Sequence, residues 1–189
     1  NAAFQAALKA AKRVATETTI QQRRVSIPSV AVGDFASQFF ERFDDKQVLV
    51  IGAGEMGEEP LRYLIDAGVK KISICNRNHE RAVELAQRMA GKAEKWGSLQ
   101  KLPSGADLGG SARGATEPIL TATTFKPIVE ARYQRPLLVL DLAIPRDFEA
   151  EIGKLSGVYL YAIDDLQEAC QRNRREREEL RRQRGFVAL

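Results

Sequence analysis

Short apolar runs alternate along this chain with longer stretches of helical period. Gln47–Ile51 ends in a continuous apolar run, as expected of a strand buried on both faces. A glycine-rich turn follows it. Helical period then holds over Glu55–Asp66, with Gly68 placed to close the helix as its C′ residue. Lys71–Cys75 is a second strand. A helix is predicted over His79–Ala90, with Asn78 as N-cap and Glu80 in the first turn. A weaker strand lies near Ala93–Trp96, and further strands at Ala106–Ser111, Leu137–Leu142 and Val158–Tyr161. Strands that alternate with helices predict an α/β fold: a Rossmann-like, doubly wound parallel sheet flanked by helices. The expected strand order is 3-2-1-4-5-6, with the ligand at the carboxyl ends between strands one and four.

The flanks read differently. Residues 2–20 carry a narrow apolar stripe at helical spacing: Phe4, Leu8, Ala11 and Ala15. Ser26-Ile27-Pro28-Ser29 is read as a break. A second helix over about 30–42 is expected to bury Val30, Phe35 and Phe39 or Phe40. After Asp164-Asp165 a last helix runs on with few apolar positions, Leu166, Ala169, Cys170 and Leu180. It is predicted to project from the body, or to pack on something outside this chain. Two local conflicts stand out: Pro60 inside a helix, and Gly109-Gly110 inside a strand. The pattern divides the chain into an entering helix and linker (1–27), a nucleotide-binding domain (28–164) and the start of a projecting helix (165–189).

Charge refines this division. The 189 residues carry a net +4, but residues 1–24 and 172–184 are each +4, leaving the body at −4. A globular nucleic-acid binder would more often carry its excess on the body, so the basic ends read first as solvated helical faces. No apolar run approaches the ~18 residues of a membrane span, so no membrane association is expected. Two cysteines far apart, Cys75 and Cys170, suit a reducing cytoplasm and offer no metal site.

The chemistry concentrates between Val48 and Asn78. The turn Gly52-Ala53-Gly54-Glu55-Met56-Gly57 joins strand to helix. Such a turn brings backbone N–H groups against a pyrophosphate at the positive end of the helix dipole. NAD sites place a carboxylate about 20 residues further on, to hold the ribose 2′-hydroxyl. Here that place is taken by Asn76, nineteen residues after Gly57, and then Arg77 and Asn78. A guanidinium attracts a 2′-phosphate that a carboxylate would repel, so the cofactor is read as NADPH. Asn78 is read chiefly as a helix cap. Asp141, at the carboxyl end of strand five, has two open readings: a place in the nicotinamide pocket, or a cap on the turn Pro145-Arg146-Asp147. Cys75 is expected to be a small core residue, His79 to be exposed, and Trp96, Tyr159 and Tyr161 to be core or edge residues.

A series of segments resembles the glutamyl-tRNA reductases: Ala11-Lys12-Arg13-Val14 with Glu17-Thr18, Val48 to Met56, Cys75-Asn76-Arg77-Asn78, Gly114 to Ile119, Asp141 to Asp147, and Val158 to Tyr161 with Asp164-Asp165-Leu166. The resemblance implies a central NADPH domain between a catalytic N-terminal domain and a C-terminal dimerisation domain on a long spinal helix. A cysteine of the catalytic domain would attack glutamyl-tRNA, and hydride from NADPH would reduce the thioester to glutamate-1-semialdehyde, for tetrapyrrole synthesis. It implies glutamyl-tRNA as substrate, a homodimer, and glutamate-1-semialdehyde aminomutase as a candidate partner. No catalytic residue is expected in this chain, and alone it should be inactive. Gly114, after strand four, is implied on the nicotinamide side. Arg113 and the pair Gly109-Gly110 depart from the family's pattern there; this altered loop 109–113, with Pro60, raises the expectation of weak cofactor affinity. The rival expectations are a shikimate-dehydrogenase-like NADP oxidoreductase and a non-catalytic NADP-binding or assembly module.

Overall fold

The computed structural model describes residues 26–113, 116–133 and 135–183. The expected helix 2–20 lies outside them, as do Gly114 and Ala115. Six parallel strands form one sheet: β1 Gln47–Ile51, β2 Lys71–Cys75, β3 Lys92–Glu94, β4 Leu108–Ser111, β5 Leu137–Asp141 and β6 Val158–Ala162. Their order is β3-β2-β1-β4-β5-β6, as the alternating pattern predicts. Ile51 pairs with both Cys75 and Ser111, so β1 and its two neighbours end level. The connections from β1 lead away in opposite directions at that level, which leaves the crevice characteristic of doubly wound sheets.

Helices cover both faces. One core joins Val48, Val50, Ile72, Ile74, Leu138 and Leu140 to helix α2, Glu55–Asp66, and helix α3, His79–Arg88. The opposite core joins Leu49, Ile51, Leu137 and Val139 to Phe125, Phe148 and Ile152. β1 and β5 feed alternate residues to the two cores, the period-two consequence of the pleat.

Several boundaries differ from expectation, each for a local reason. Ser26 is not part of a break. Its side chain accepts from the Ser29 amide, Pro28 occupies the first turn, and α1 begins at Ile27. That helix, Ile27–Val30, continues through a π-helical stretch, Ala31–Ala36, to a last turn, Ser37–Phe39. Phe35 and Phe39 are half-buried; Phe35 meets Tyr161 edge to face and Phe39 packs at a tilt against Tyr159, each with ring centres 4.6 Å apart. Pro60 does not interrupt α2; it is buried and faces the sheet. α3 ends two residues earlier than expected. The short helix α4, Leu102–Gly105, precedes β4. The pattern left 117–136 without structure, yet helix α5, Ala122–Glu130, lies there. Thr121 and Thr124 form a capping box at its start.

The last helix, α6, begins at Ile163 and is described to Gln183. Its first turns do not project: Leu166, Ala169, Cys170 and Asn173 are buried, and Asn173 Nδ2 donates to Asp34 at 2.6 Å. Most described residues from Arg174 to Arg182 stand exposed or half-exposed. Among the described residues, no helix is long and apolar enough to cross a membrane.

Candidate dinucleotide site

The glycine turn closes at the switch point between β1 and β4. Gly52 holds φ +109°, a conformation that favours glycine, and its N–H donates to the Cys75 carbonyl at 2.9 Å. Gly57 sits close under the turn: an added Cβ would meet the Gly52 carbonyl oxygen at 3.3 Å and Val50 at 3.5 Å. Gly54 faces open space and is the N-cap of α2. No side chain caps that helix, so its first amides point into the crevice without a side-chain acceptor. These three positions fit a bound pyrophosphate: a tight turn, an open approach, and close packing of helix on strand.

Ala53 is half-buried, and Glu55 and Met56 are exposed. The neighbouring acid Glu58 is neutralised by Arg62 and Arg88, each at 2.7 Å, which holds its carboxyl below the usual range. Its charge therefore ties α2 to α3 and does not oppose an anion at the turn. Met56 borders a separate groove of about 420 Å³ between α1, α2 and α6.

At the end of β2, Asn76 Nδ2 donates to the Asn78 carbonyl at 2.8 Å, and Asn78 accepts from the Arg81 amide at 3.2 Å as N-cap of α3. The turn so shaped leaves Arg77 exposed, its guanidinium carbon 5.9 Å from the centre of the Trp96 ring. His79 is exposed beside it.

Of the two readings of Asp141, the structure places its carboxylate in the turn. The residue is 1% exposed, and its two oxygens accept from the amides of Ala143, at 3.1 Å, and Phe148, at 2.9 Å. Burial pushes its pKa up to about 6, against the pull of those amides. Asp141 thus shapes the loop 142–148 rather than reaching into the crevice. Cys75 is fully buried, and burial raises its thiol to about 11, which disfavours the reactive thiolate. Among the described residues, no cluster of His, Cys, Asp and Glu could hold a metal ion.

Two residues, Asp147 and Trp96, join the site that sequence reasoning did not place there, and Arg113, expected beside the nicotinamide, ties them to the glycine turn. Asp147, fully buried, accepts from the Ser111 hydroxyl and from the Arg113 amide. Arg113 lies across Gly52, its Cγ 3.1 Å from the place of a Cβ there. Its guanidinium carbon stands 4.6 Å from the centre of the Trp96 ring. Trp96 itself sits in a short 3₁₀ turn, Trp96–Ser98, after β3. The partners of Asp147 are some 34 to 36 positions away in sequence, a separation that local patterning cannot register.

A parallel sheet with a glycine turn at its switch point and cations beside it defines a dinucleotide-binding domain. The sequence profile of the shikimate / quinate 5-dehydrogenase family matches residues 34–169, and the chain belongs to that family. Within this frame it is similar to glutamyl-tRNA reductases. It is 51% identical over 175 residues to the one from Rhodopirellula baltica, covering 93% of this chain and 41% of that protein. It is 39% identical over 179 residues to that of Pelotomaculum thermopropionicum, covering 95% and 40%. The structure of glutamyl-tRNA reductase from Methanopyrus kandleri superposes with a TM-score of 0.85 at 36% identity, over 93% of this chain and 44% of that one. The nucleotide-binding domain of glutamyl-tRNA reductase from Thermoplasma volcanium shares the fold, with a TM-score of 0.63 at 21% identity over 82% of this chain and 99% of that one. The chain thus spans about two fifths of the length of the relatives it matches.

Proposed function

We propose that this chain is the NADPH-binding part of a glutamyl-tRNA reductase. The observation that carries the reading is the glycine turn, which opens onto the uncapped start of α2 with Arg77 at the end of the adjoining strand. Amides of residues 54–56 would hold the pyrophosphate, and Arg77 the 2′-phosphate of the adenosine ribose. Asp141 and Asp147 fix the loop after β5 and Ser111 at the end of β4, and so keep the nicotinamide side of the crevice in shape. Bound NADPH would supply hydride for reduction of a glutamyl thioester to glutamate-1-semialdehyde. The nucleophile would lie outside this chain, because Cys75 is sealed in the core.

The remaining parts of the reading follow from the relatives. Residues 28–164 would form the cofactor domain and 165–189 the start of a longer helix. Glutamyl-tRNA, a second copy of the protein and glutamate-1-semialdehyde aminomutase are the proposed partners in tetrapyrrole synthesis, in a reducing cytoplasm. A chimera tests this reading. This chain would replace the matching segment of the Rhodopirellula baltica enzyme, and oxidation of NADPH would be followed with glutamyl-tRNA and with shikimate. Turnover of glutamyl-tRNA alone supports the proposal. Turnover of shikimate alone would reassign the substrate.

A further inference from the structure

Arg113 is placed oddly for a residue without a ligand. Its side chain is only 11% exposed. Its Nε stands 3.7 Å from Asp147 Oδ1, close enough for attraction but too far for a hydrogen bond. Its Nη1 is buried with no hydrogen-bond partner, and so is Asp147 Oδ1. A buried guanidinium N–H left unpaired is costly, because water has been stripped from it and nothing has replaced the lost bond.

A second observation points the same way. Arg77 and Arg113 approach one indole, at 5.9 Å and 4.6 Å from its centre. Each cation gains from the ring's quadrupole, and the two carry like charge about one ring. An anion within reach of both would offset that charge and give the orphaned N–H an acceptor. The course of Arg113 locates that anion. From the end of β4 it crosses Gly52 and reaches the ring that follows β3. It thus runs over the half of the crevice next to β2, where the adenosine end of a dinucleotide lies.

We propose that Arg113 is a second specificity-determining residue for the cofactor: with Arg77 it forms a two-guanidinium clamp on the 2′-phosphate, and Trp96 is the platform that sets both side chains. The proposal rests on the reading of the glycine turn as a dinucleotide site. Arg113 then compensates in this chain for its departure from the family's loop sequence, where it would otherwise only narrow the pocket.

The adenosine fragments 2′,5′-ADP and 5′-AMP test this without any turnover. They differ by the 2′-phosphate alone. Binding to this 189-residue chain would be followed by calorimetry and by the emission of Trp96, the single tryptophan. Wild type should prefer 2′,5′-ADP. Arg113→Ala should cut that preference about tenfold, the scale of one hydrogen bond to a charged group, and leave 5′-AMP nearly unchanged. Removing Arg113 strips Asp147 of its nearest cation and could weaken folding. Arg113→Lys and Arg113→Gln therefore serve as companions, and the preference should fall in the order Arg, Lys, Gln. Three results would overturn the proposal. Tighter binding by Arg113→Ala would make Arg113 an obstruction in the crevice. Equal loss for both fragments would place it on the 5′-phosphate. An unchanged preference in Arg113→Ala, with Arg77→Ala still losing it, would leave Arg77 as the sole clamp. If wild type binds neither fragment nor NADPH, the dinucleotide reading itself fails, and this proposal with it.

Discussion

Gly110 should be replaceable by alanine with a gain in stability. It lies on the face of β4 turned toward α2, between its strand partners Val50 and Leu140. A Cβ built there meets no atom within 4 Å, and φ is not positive. The position borders a void of about 20 Å³ walled by Val48, Pro60, Leu61, Leu64 and Leu142. Two terms add. Alanine restricts the unfolded chain relative to glycine, which stabilises by about 0.4–1 kcal/mol. Burying one methyl group contributes about 0.8 kcal/mol more. The sum, about 1–2 kcal/mol, corresponds to a rise of about 3–6 °C in Tm for a chain of this size. Thermal unfolding followed by circular dichroism, with urea titration as a second measure, reads this directly. Gly52→Ala is the control and should destabilise, because φ is +109° and the new Cβ would press on Arg113 at 3.1 Å and on the Ala112 carbonyl at 3.2 Å. An unchanged or lowered Tm for Gly110→Ala would refute the packing described between α2 and β4.

Three further outcomes follow from the buried charges and the thiol. Asp141 has a folded pKa of about 6, above its unfolded value, so the folded state binds the extra proton and its contribution is lost as pH rises through 6. Relative to Asp141→Asn, wild type should therefore gain about 1 kcal/mol between pH 7 and pH 5 in urea unfolding; a difference that does not vary with pH would contradict the burial assigned to this carboxylate. Arg132 is buried and donates to the carbonyls of Pro103, at 2.6 Å, and Pro136, at 2.8 Å, and to that of Ala106. Arg132→Met would orphan the Pro103 and Pro136 carbonyls and leave Ala106 only a long bond from Arg135, and should cost about 3 kcal/mol or more in denaturant titration, with a near-neutral result refuting the bracing role. Cys75 should resist iodoacetamide in the folded chain at pH 8 and react once urea unfolds it, as mass spectrometry of the labelled peptide would show; rapid native labelling would reopen its rejection as a nucleophile.

Most of the sheet was legible because β1, β2, β5 and β6 are compact, largely apolar runs, whereas β3 and β4 were placed by alternation. β1 and β2 fall on the residues that the pattern marks, and the strand order follows from alternation alone. Where the pattern failed, a competing local signal was present. Pro28 looked like a breaker, but with Ser26 before it as a cap it starts a helix. α5 was hidden because Pro127 lies inside it, although Thr121 and Thr124 mark its start. Gly109 and Gly110 pair normally in β4 because their neighbours on both sides supply the ladder. The glycine turn and Arg77 could be read from spacing, since strand, turn and helix are contiguous. Asp147 and Trp96 could not, because each meets Arg113 only through the arrangement of three separate strand ends. Asp141 showed its position but not its direction, and only the loop that returns to it at Phe148 decides that.

Cofactor choice rests on Arg77 and the glycine turn together. Calorimetric titration of this chain with NADPH and with NADH, repeated on Arg77→Ala, tests both. Wild type should prefer NADPH, and the mutant should lose most of that preference, about 1.5–3 kcal/mol. NADPH and NADH bound equally well by wild type, or a preference that survives in Arg77→Ala, would contradict this reading.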